Sequence, residues 1–198
     1  MLKAILYLLL ALPVCSFAQL GLSIGLKGGL NFANITSASQ IKAGNRTGYM
    51  VGGYISSKPK KIFGFRSEII LSRQGYDYKT NTNSGNVDLD YLLLPQLIII
   101  NFAQYVQLHL GGQAAILLNA KVDSTGSPGG SLLNYFNRFD YGFAAGAEVF
   151  PLKKGLFIGG RFNVSFNGVS AGSMSQPNFI PGVNAKNNVV QIYAGWRF

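Results

Sequence analysis

The sequence predicts an all-β fold, an eight-stranded antiparallel up-and-down transmembrane β-barrel, and three observations carry that prediction. Apolar and polar residues alternate with period two over stretches longer than the roughly 5–6 residues of an ordinary strand. Hydrophobic residues make up 48% of the 198, yet charged residues only 12%, about half the roughly 25% of a soluble globular domain. Finally, beyond the first 18 residues no stretch supplies the roughly 20 uninterrupted apolar residues that a membrane helix needs. The longest candidate, residues 89–102, carries Asp90, Pro95, Gln96 and Asn101. With 25 glycines and one cysteine, a disulfide-stapled miniprotein, a collagen and a disordered chain are excluded.

Residues 1–18 read as a secretory signal peptide. Lys3 forms the positive n-region, residues 4–14 the apolar h-region, and Ser16-Phe17-Ala18 a small-x-small cleavage site before Gln19. Val14 before Cys15 disfavours a lipoprotein anchor. Cleavage between Ala18 and Gln19 removes the single cysteine and leaves residues 19–198 as one barrel domain.

The first strand follows at 20–32. Leu20, Leu22, Ile24, Leu26, Leu30 and Phe32 share one parity; Gly21, Ser23, Gly25, Lys27, Gly29 and Asn31 share the other. Residues 46–57 and 62–78 are less regular strands, and 87–101 is so continuously apolar that its facing stays open. In 105–121 Val106, Leu108, Leu110, Ala114, Ile116 and Leu118 oppose Gln107, His109, Gly111, Gln113, Asn119 and Lys121. In 138–150 Phe139, Tyr141, Phe143, Ala145, Ala147 and Val149 oppose Asp140, Gly142, Ala144, Gly146 and Glu148. In 156–167 Leu156, Ile158, Phe162, Val164 and Phe166 oppose Gly159, Arg161, Asn163, Ser165 and Asn167. The last strand sets Val190, Ile192, Ala194, Trp196 and Phe198 against Gln191, Tyr193, Gly195 and Arg197.

Connections at 58–61, 102–104 and 151–155 are short, whereas 34–45, 79–86, 122–137 and 170–186 are long and rich in Ser, Asn, Gly and Thr. Short turns at one end and long loops at the other are the pattern of an outer-membrane barrel with periplasmic turns and outside loops. In hydrocarbon every backbone N–H and C=O must be paired, so a sheet crosses only when closed. The apolar parity then faces lipid and the polar, glycine-rich parity faces a narrow, side-chain-filled lumen. That places Lys27, Arg66, Arg161 and Arg197 with Glu68, Asp140, Glu148 and the single histidine, His109, in an interior ion network, because unpaired buried ions cost several kcal/mol each. The closing strand, with Tyr193, Trp196 and Phe198, is expected to serve as an assembly signal for the barrel-assembly machinery and as part of an interfacial aromatic girdle.

Residues 25–34, Glu68 with Leu71-Ser72-Arg73-Gln74-Gly75, Tyr91-Leu92-Leu93-Leu94-Pro95 and the closing Gly195-Trp196-Arg197-Phe198 together resemble the PorT-like outer-membrane barrel family of Gram-negative bacteria. The resemblance runs along the whole mature chain. It implies an outer-membrane barrel and, through a few members, a link to secretion and gliding machinery; it implies no single activity.

No nucleophile elbow, metal-ligand spacing or His-paired nucleophile motif occurs, so no cofactor and no enzyme activity are expected. A net charge of +10 and a pI near 9.8 would suggest nucleic acid in a cytosolic chain, but export excludes that partner. Lys58, Lys60, Lys61, Lys153 and Lys154 in the short turns, and Lys42, Arg46 and Lys186 near the long loops, suit anionic outer-membrane lipids at the rim. The function expected is a structural or interaction module of the cell envelope, a possible part of an envelope protein complex. A small pore, a barrel enzyme acting on lipid with His109 as base, and a soluble lipocalin-like binder remain alternatives.

Overall fold

The computed structural model describes residues 21–36, 42–58, 62–80, 84–102, 105–124, 132–151, 155–172 and 177–198. The signal peptide with its Ala18–Gln19 cleavage, and Lys60, Lys61, Lys153 and Lys154, lie outside the described residues.

Nine strands are described: β1 (Leu22–Thr36), β2 (Lys42–Gly44), β3 (Arg46–Ser57), β4 (Phe63–Lys79), β5 (Ser84–Phe102), β6 (Val106–Ser124), β7 (Phe139–Val149), β8 (Leu156–Ser165) and β9 (Lys186–Arg197). The eight long ones are those expected, and every pairing is antiparallel between chain neighbours. β9 closes the ring on β1, with Leu26 opposite Trp196 and Asn31 opposite Gln191. β2 is a short addition on the tip of β4, with Ala43 opposite Tyr78. The β4–β5 ladder is interrupted between Ser67–Gln96 and Ile70–Leu93 and resumes in the same register. Pro95, which has no N–H to donate, sits in the gap.

Alternation sets the two faces as expected on β1, β7, β8 and β9. Leu26, Leu30, Ile158, Phe162, Val190 and Ile192 are exposed, while Lys27, Asn31, Arg161, Asn163, Gln191 and Tyr193 are buried. The facing of β5, open from its sequence, is now fixed: Leu89, Tyr91, Leu93, Leu97 and Ile99 point inward and Ile98 and Phe102 outward. On β6 the expected parity fails near its upper end. A register shift opposite Asp90/Tyr91 places Leu118 as an extra residue, so Asn119 and Lys121 turn outward and Ala120 and Val122 inward. A one-residue insertion exchanges the two faces of everything beyond it.

The outward face locates the membrane. Phe63, Phe65, Phe102, Tyr105, Trp196 and Phe198 are exposed toward the short-turn end, and Phe32, Tyr49, Phe139, Tyr141 and Phe166 toward the long-loop end, two aromatic bands of the kind that sit at membrane interfaces. From Phe63 to Leu71 the outward residues of β4 are suited to hydrocarbon; the polar Ser67 is matched by Gln96, whose Nε2 donates to its Oγ at 2.8 Å. Above this band the outer face becomes charged. Arg73 donates to both oxygens of Asp90 at 2.7 and 3.1 Å, and Asn119 Nδ2 donates to Asp90 at 3.1 Å.

Beyond that boundary β4, β5 and β6 continue as a raised wall, so the two ends of the predicted long loop at 79–86 are strand, Lys79 closing β4 and Ser84 opening β5. The cause is a change of pattern: Val87 and Leu89 point inward while Asp88 and Asp90 point outward. Segments 132–136 and 177–185 fold over the inner side of the wall. There Leu132, Phe136, Val169, Ile180 and Ala185 join Tyr76, Tyr78, Val87, Leu89, Leu117, Ala120 and Val122 in an apolar core. Phe179 stacks on Tyr78 with ring centroids 5.0 Å apart, and its carbonyl accepts from Tyr76 Oη at 3.1 Å. This core caps the lumen.

Candidate functional site: the ion network in the lumen

Side chains from six strands meet at one level inside the barrel, because each occupies an inward parity position: Lys27 (β1), Arg66 and Glu68 (β4), Gln107 and His109 (β6), Glu148 (β7), Arg161 (β8) and Tyr193 (β9). Small residues make this possible. A Cβ on Gly159 would lie 2.7 Å from the Tyr193 ring and 2.8 Å from Glu148, and one on Gly146 would lie 2.6 Å from His109 Nε2. Inward glycine is therefore the space into which long side chains cross.

Glu68 is held by two cations. Arg161 binds it through both nitrogens, Nη1 to Oε2 at 2.6 Å and Nη2 to Oε1 at 2.8 Å, and Lys27 Nζ donates to Oε2 at 2.8 Å. Glu148 forms a second fork with Arg66, at 2.6 and 2.9 Å, and accepts from Tyr193 Oη at 3.1 Å. Arg66 also donates to Gln107 Oε1 and lies 3.6 Å from Glu68, joining the two forks. Bidentate arginine–carboxylate pairs are the geometry that best offsets burial. Three cations face two carboxylates, and aromatic faces take part of the surplus: the Arg66 guanidinium lies 4.1 Å from the Tyr54 ring centroid and Lys27 Nζ 4.4 Å from that of Tyr193. His109 Nε2 accepts from Arg161 Nε at 3.1 Å, so its proton sits on Nδ1.

The predicted site residues thus divide. Lys27, Arg66, Glu68, His109, Glu148 and Arg161 come together. Asp140 stands apart, on the long-loop side, accepting from Ser165 Oγ at 2.5 Å, because it lies on the upper end of β7 while Glu148 lies near the lower. Arg197 is also separate; its guanidinium lies 4.2 Å from the Phe150 ring centroid at the short-turn end. Tyr193, grouped by sequence with the girdle, is 2% exposed and belongs to the lumen, whereas Trp196 and Phe198 are exposed on the outer face. Sequence reasoning missed Tyr54 and Gln107 as members. Gln107 shares the parity of His109, which was signal enough; Tyr54 lies in a strand whose alternation is irregular.

The network is one of several layers. Below it Tyr54, Phe150 and Phe157 form an aromatic floor, with Phe157 5.9 Å from Tyr54 and 5.7 Å from Phe150. Above it lies an amide layer. Asn31 Nδ2 donates to Ser72 Oγ at 2.8 Å, Gln191 donates to Asn31 Oδ1 at 2.9 Å, and Asn187 donates to Gln74 Oε1 at 2.5 Å. The apolar cap closes the top. Outside the membrane, the two hydrogen bonds from Arg73 hold the Asp90 carboxyl below its usual range. Arg46 loses solvation by partial burial, but its bonds to Asp88 at 2.5 Å and Asp77 at 3.0 Å outweigh that loss and raise its pKa. Among the described residues no group of three or more His, Cys, Asp or Glu could hold a metal ion.

Comparison with known proteins agrees with this architecture. Solved structures similar in fold include Ail, the attachment invasion locus protein of Yersinia pestis, at 14% identity over 89% of this chain and 98% of that one with a TM-score of 0.52, and neisserial surface protein A, at 15% identity over 90% and 99% with a TM-score of 0.57. No curated protein matches the chain. The family described as outer membrane protein beta-barrel domain matches residues 17–171, and the protein's place is the outer membrane. The chain belongs to the outer membrane protein beta-barrel domain family.

Proposed function

We propose that this barrel is a non-conducting, non-catalytic interaction module of the cell envelope. One observation carries the reading: the lumen is filled in series by an aromatic floor, an ion network, an amide layer and an apolar cap. A conduction path would have to break bidentate ion pairs and then cross a core of buried tyrosine, leucine and isoleucine. His109 is bonded to Arg161 and Tyr193, which occupies the nitrogen a general base would use. What remains for recognition is the outside, above all the wall of β4, β5 and β6, whose outer face carries Asp77, Lys79, Asp88, Lys121 and Asp123 above the lipid level. The PorT-like resemblance supports a role within a secretion or other envelope machine, with the barrel-assembly machinery needed for insertion and lipid surrounding the barrel.

Planar-bilayer recording of the purified barrel tests this. The expected result is no current above that of the bare bilayer up to the voltage at which the bilayer itself fails. Discrete, reproducible conductance steps that scale with protein would favour the small pore instead.

A further inference from the structure

We propose that the amide layer of the lumen encloses a binding site for an alkali cation, held by the Asp140 carboxylate and side-chain amide oxygens. A small cavity there is lined by Gln113 of β6, Asp140 of β7, Asn163 and Ser165 of β8 and Asn187 of β9. Four of these five lining residues carry buried polar atoms without a hydrogen-bond partner: Gln113 Oε1, Asp140 Oδ1, both Asn163 side-chain atoms and Asn187 Oδ1. Asn163 and Asn187 are only 4% and 3% exposed. Buried polar groups are normally paired, so a cluster of unpaired ones at a single cavity marks an occupant.

The surrounding bonds fix which oxygen is left free on Asn187 and on Asp140. Gln74 Nε2 donates to Ser72 Oγ at 2.8 Å, so its oxygen accepts from Asn187 Nδ2 at 2.5 Å and Asn187 is left with its oxygen free. Ser165 takes Asp140 Oδ2, leaving Oδ1. The unpaired set is thus four oxygens to one nitrogen, a surface that receives positive charge and repels an anion. Asp140 sets the charge of the occupant. No ion pair among the described residues engages it, since the lumen cations are committed to Glu68 and Glu148. Asp140 is half-buried, and a carboxylate drawn out of water without a counter-charge is costly; one monovalent cation cancels it. Calcium takes about 6–8 oxygen ligands and magnesium keeps several waters in a rigid octahedron, more than this small cavity accommodates, and hard oxygen donors do not suit soft metals. The rival occupant is ordered water, which also bridges such groups.

Thermal unfolding of the folded barrel in zwitterionic micelles separates the two. Sodium, potassium and N-methylglucamine chlorides at equal ionic strength are compared by loss of the β circular dichroism signal. Either alkali chloride is expected to raise the midpoint by about 2–4 °C over N-methylglucamine. Asp140→Asn, isosteric and uncharged, is expected to abolish the difference, as is Asn163→Leu. Broadening of the 23Na resonance by the wild-type barrel, and not by empty micelles, gives a second readout that needs no variant to fold. Equal midpoints in all three salts with no 23Na broadening would assign the cavity to water and overturn the proposal, as would a full alkali effect in Asp140→Asn.

Discussion

Glu68 holds Arg161 through both oxygens and Lys27 through one, so neutralising it leaves Lys27, Arg66 and Arg161 buried with Glu148 as the remaining carboxylate of the network. Glu68→Gln is therefore expected to cost about 3–5 kcal/mol of barrel stability, the usual penalty for breaking a buried pair from one side. Lys121→Gln, on the exposed outer face of the wall, should cost about 0–1 kcal/mol. Urea unfolding of both variants in lipid vesicles measures the difference; coincident midpoints would contradict the burial of the network. Which residues would be charged and inward was legible at Lys27, Arg161 and Glu148, because each sits in a clean alternation. Which would touch was not. Asp140 and Glu148 share a strand and a parity but lie at opposite ends of β7; which level of one strand meets which level of the others depends on strand stagger, a property of the ring that one strand's pattern does not encode.

Strands carry the same division between what a pattern contains and what packing decides. β1, β7, β8 and β9 alternate strictly, since one side meets lipid and the other meets glycine and polar groups. β5 does not, because its inward residues Leu89, Leu93, Leu97 and Ile99 are as apolar as its outward ones; they fill the lumen wall beside the network and, higher up, the cap. The bulge at Leu118 was equally silent, since one inserted residue leaves no mark until the partner strand is known. Glycines separate by facing as well. Gly25 lies against the Tyr54 ring, where an added Cβ would overlap ring atoms, while Gly112 on the outer face of β6 has open space. Gly25→Val should displace Tyr54 from the Arg66 guanidinium and cost about 1–3 kcal/mol by overpacking. Gly112→Val should leave the unfolding free energy from urea titration within about 0.5 kcal/mol of wild type. Equal effects would mean that the inward glycines make no room.

Over its membrane band the barrel departs from the arrangement of a soluble protein: ions and amides sit inside beside an aromatic floor and the apolar inner wall of β5, aliphatic and aromatic side chains face outward, and an apolar core caps the lumen above the lipid where water returns. Closure and the count of eight long strands were legible, because unsatisfied edges are forbidden in hydrocarbon and chain length limits the number of crossings. The cap was not, since its residues come from segments rich in turn-forming residues whose apolar members, Val169, Ile180 and Phe136, have no periodicity. Two adjacent isoleucine pairs report on lipid outside and a dry lumen together. Ile69 and Ile98 are 62% and 49% exposed, while their neighbours Ile70 and Ile99 are both 0% exposed. Methyl NMR of the barrel in lipid nanodiscs, with a nitroxide-bearing lipid and separately with a water-soluble gadolinium chelate, reads all four at once. Ile69 and Ile98 should broaden with the nitroxide, and Ile70 and Ile99 with neither agent. Broadening of Ile70 and Ile99 by the chelate would reveal a water-filled lumen, and their broadening by the nitroxide in place of Ile69 and Ile98 would reverse the faces of the barrel.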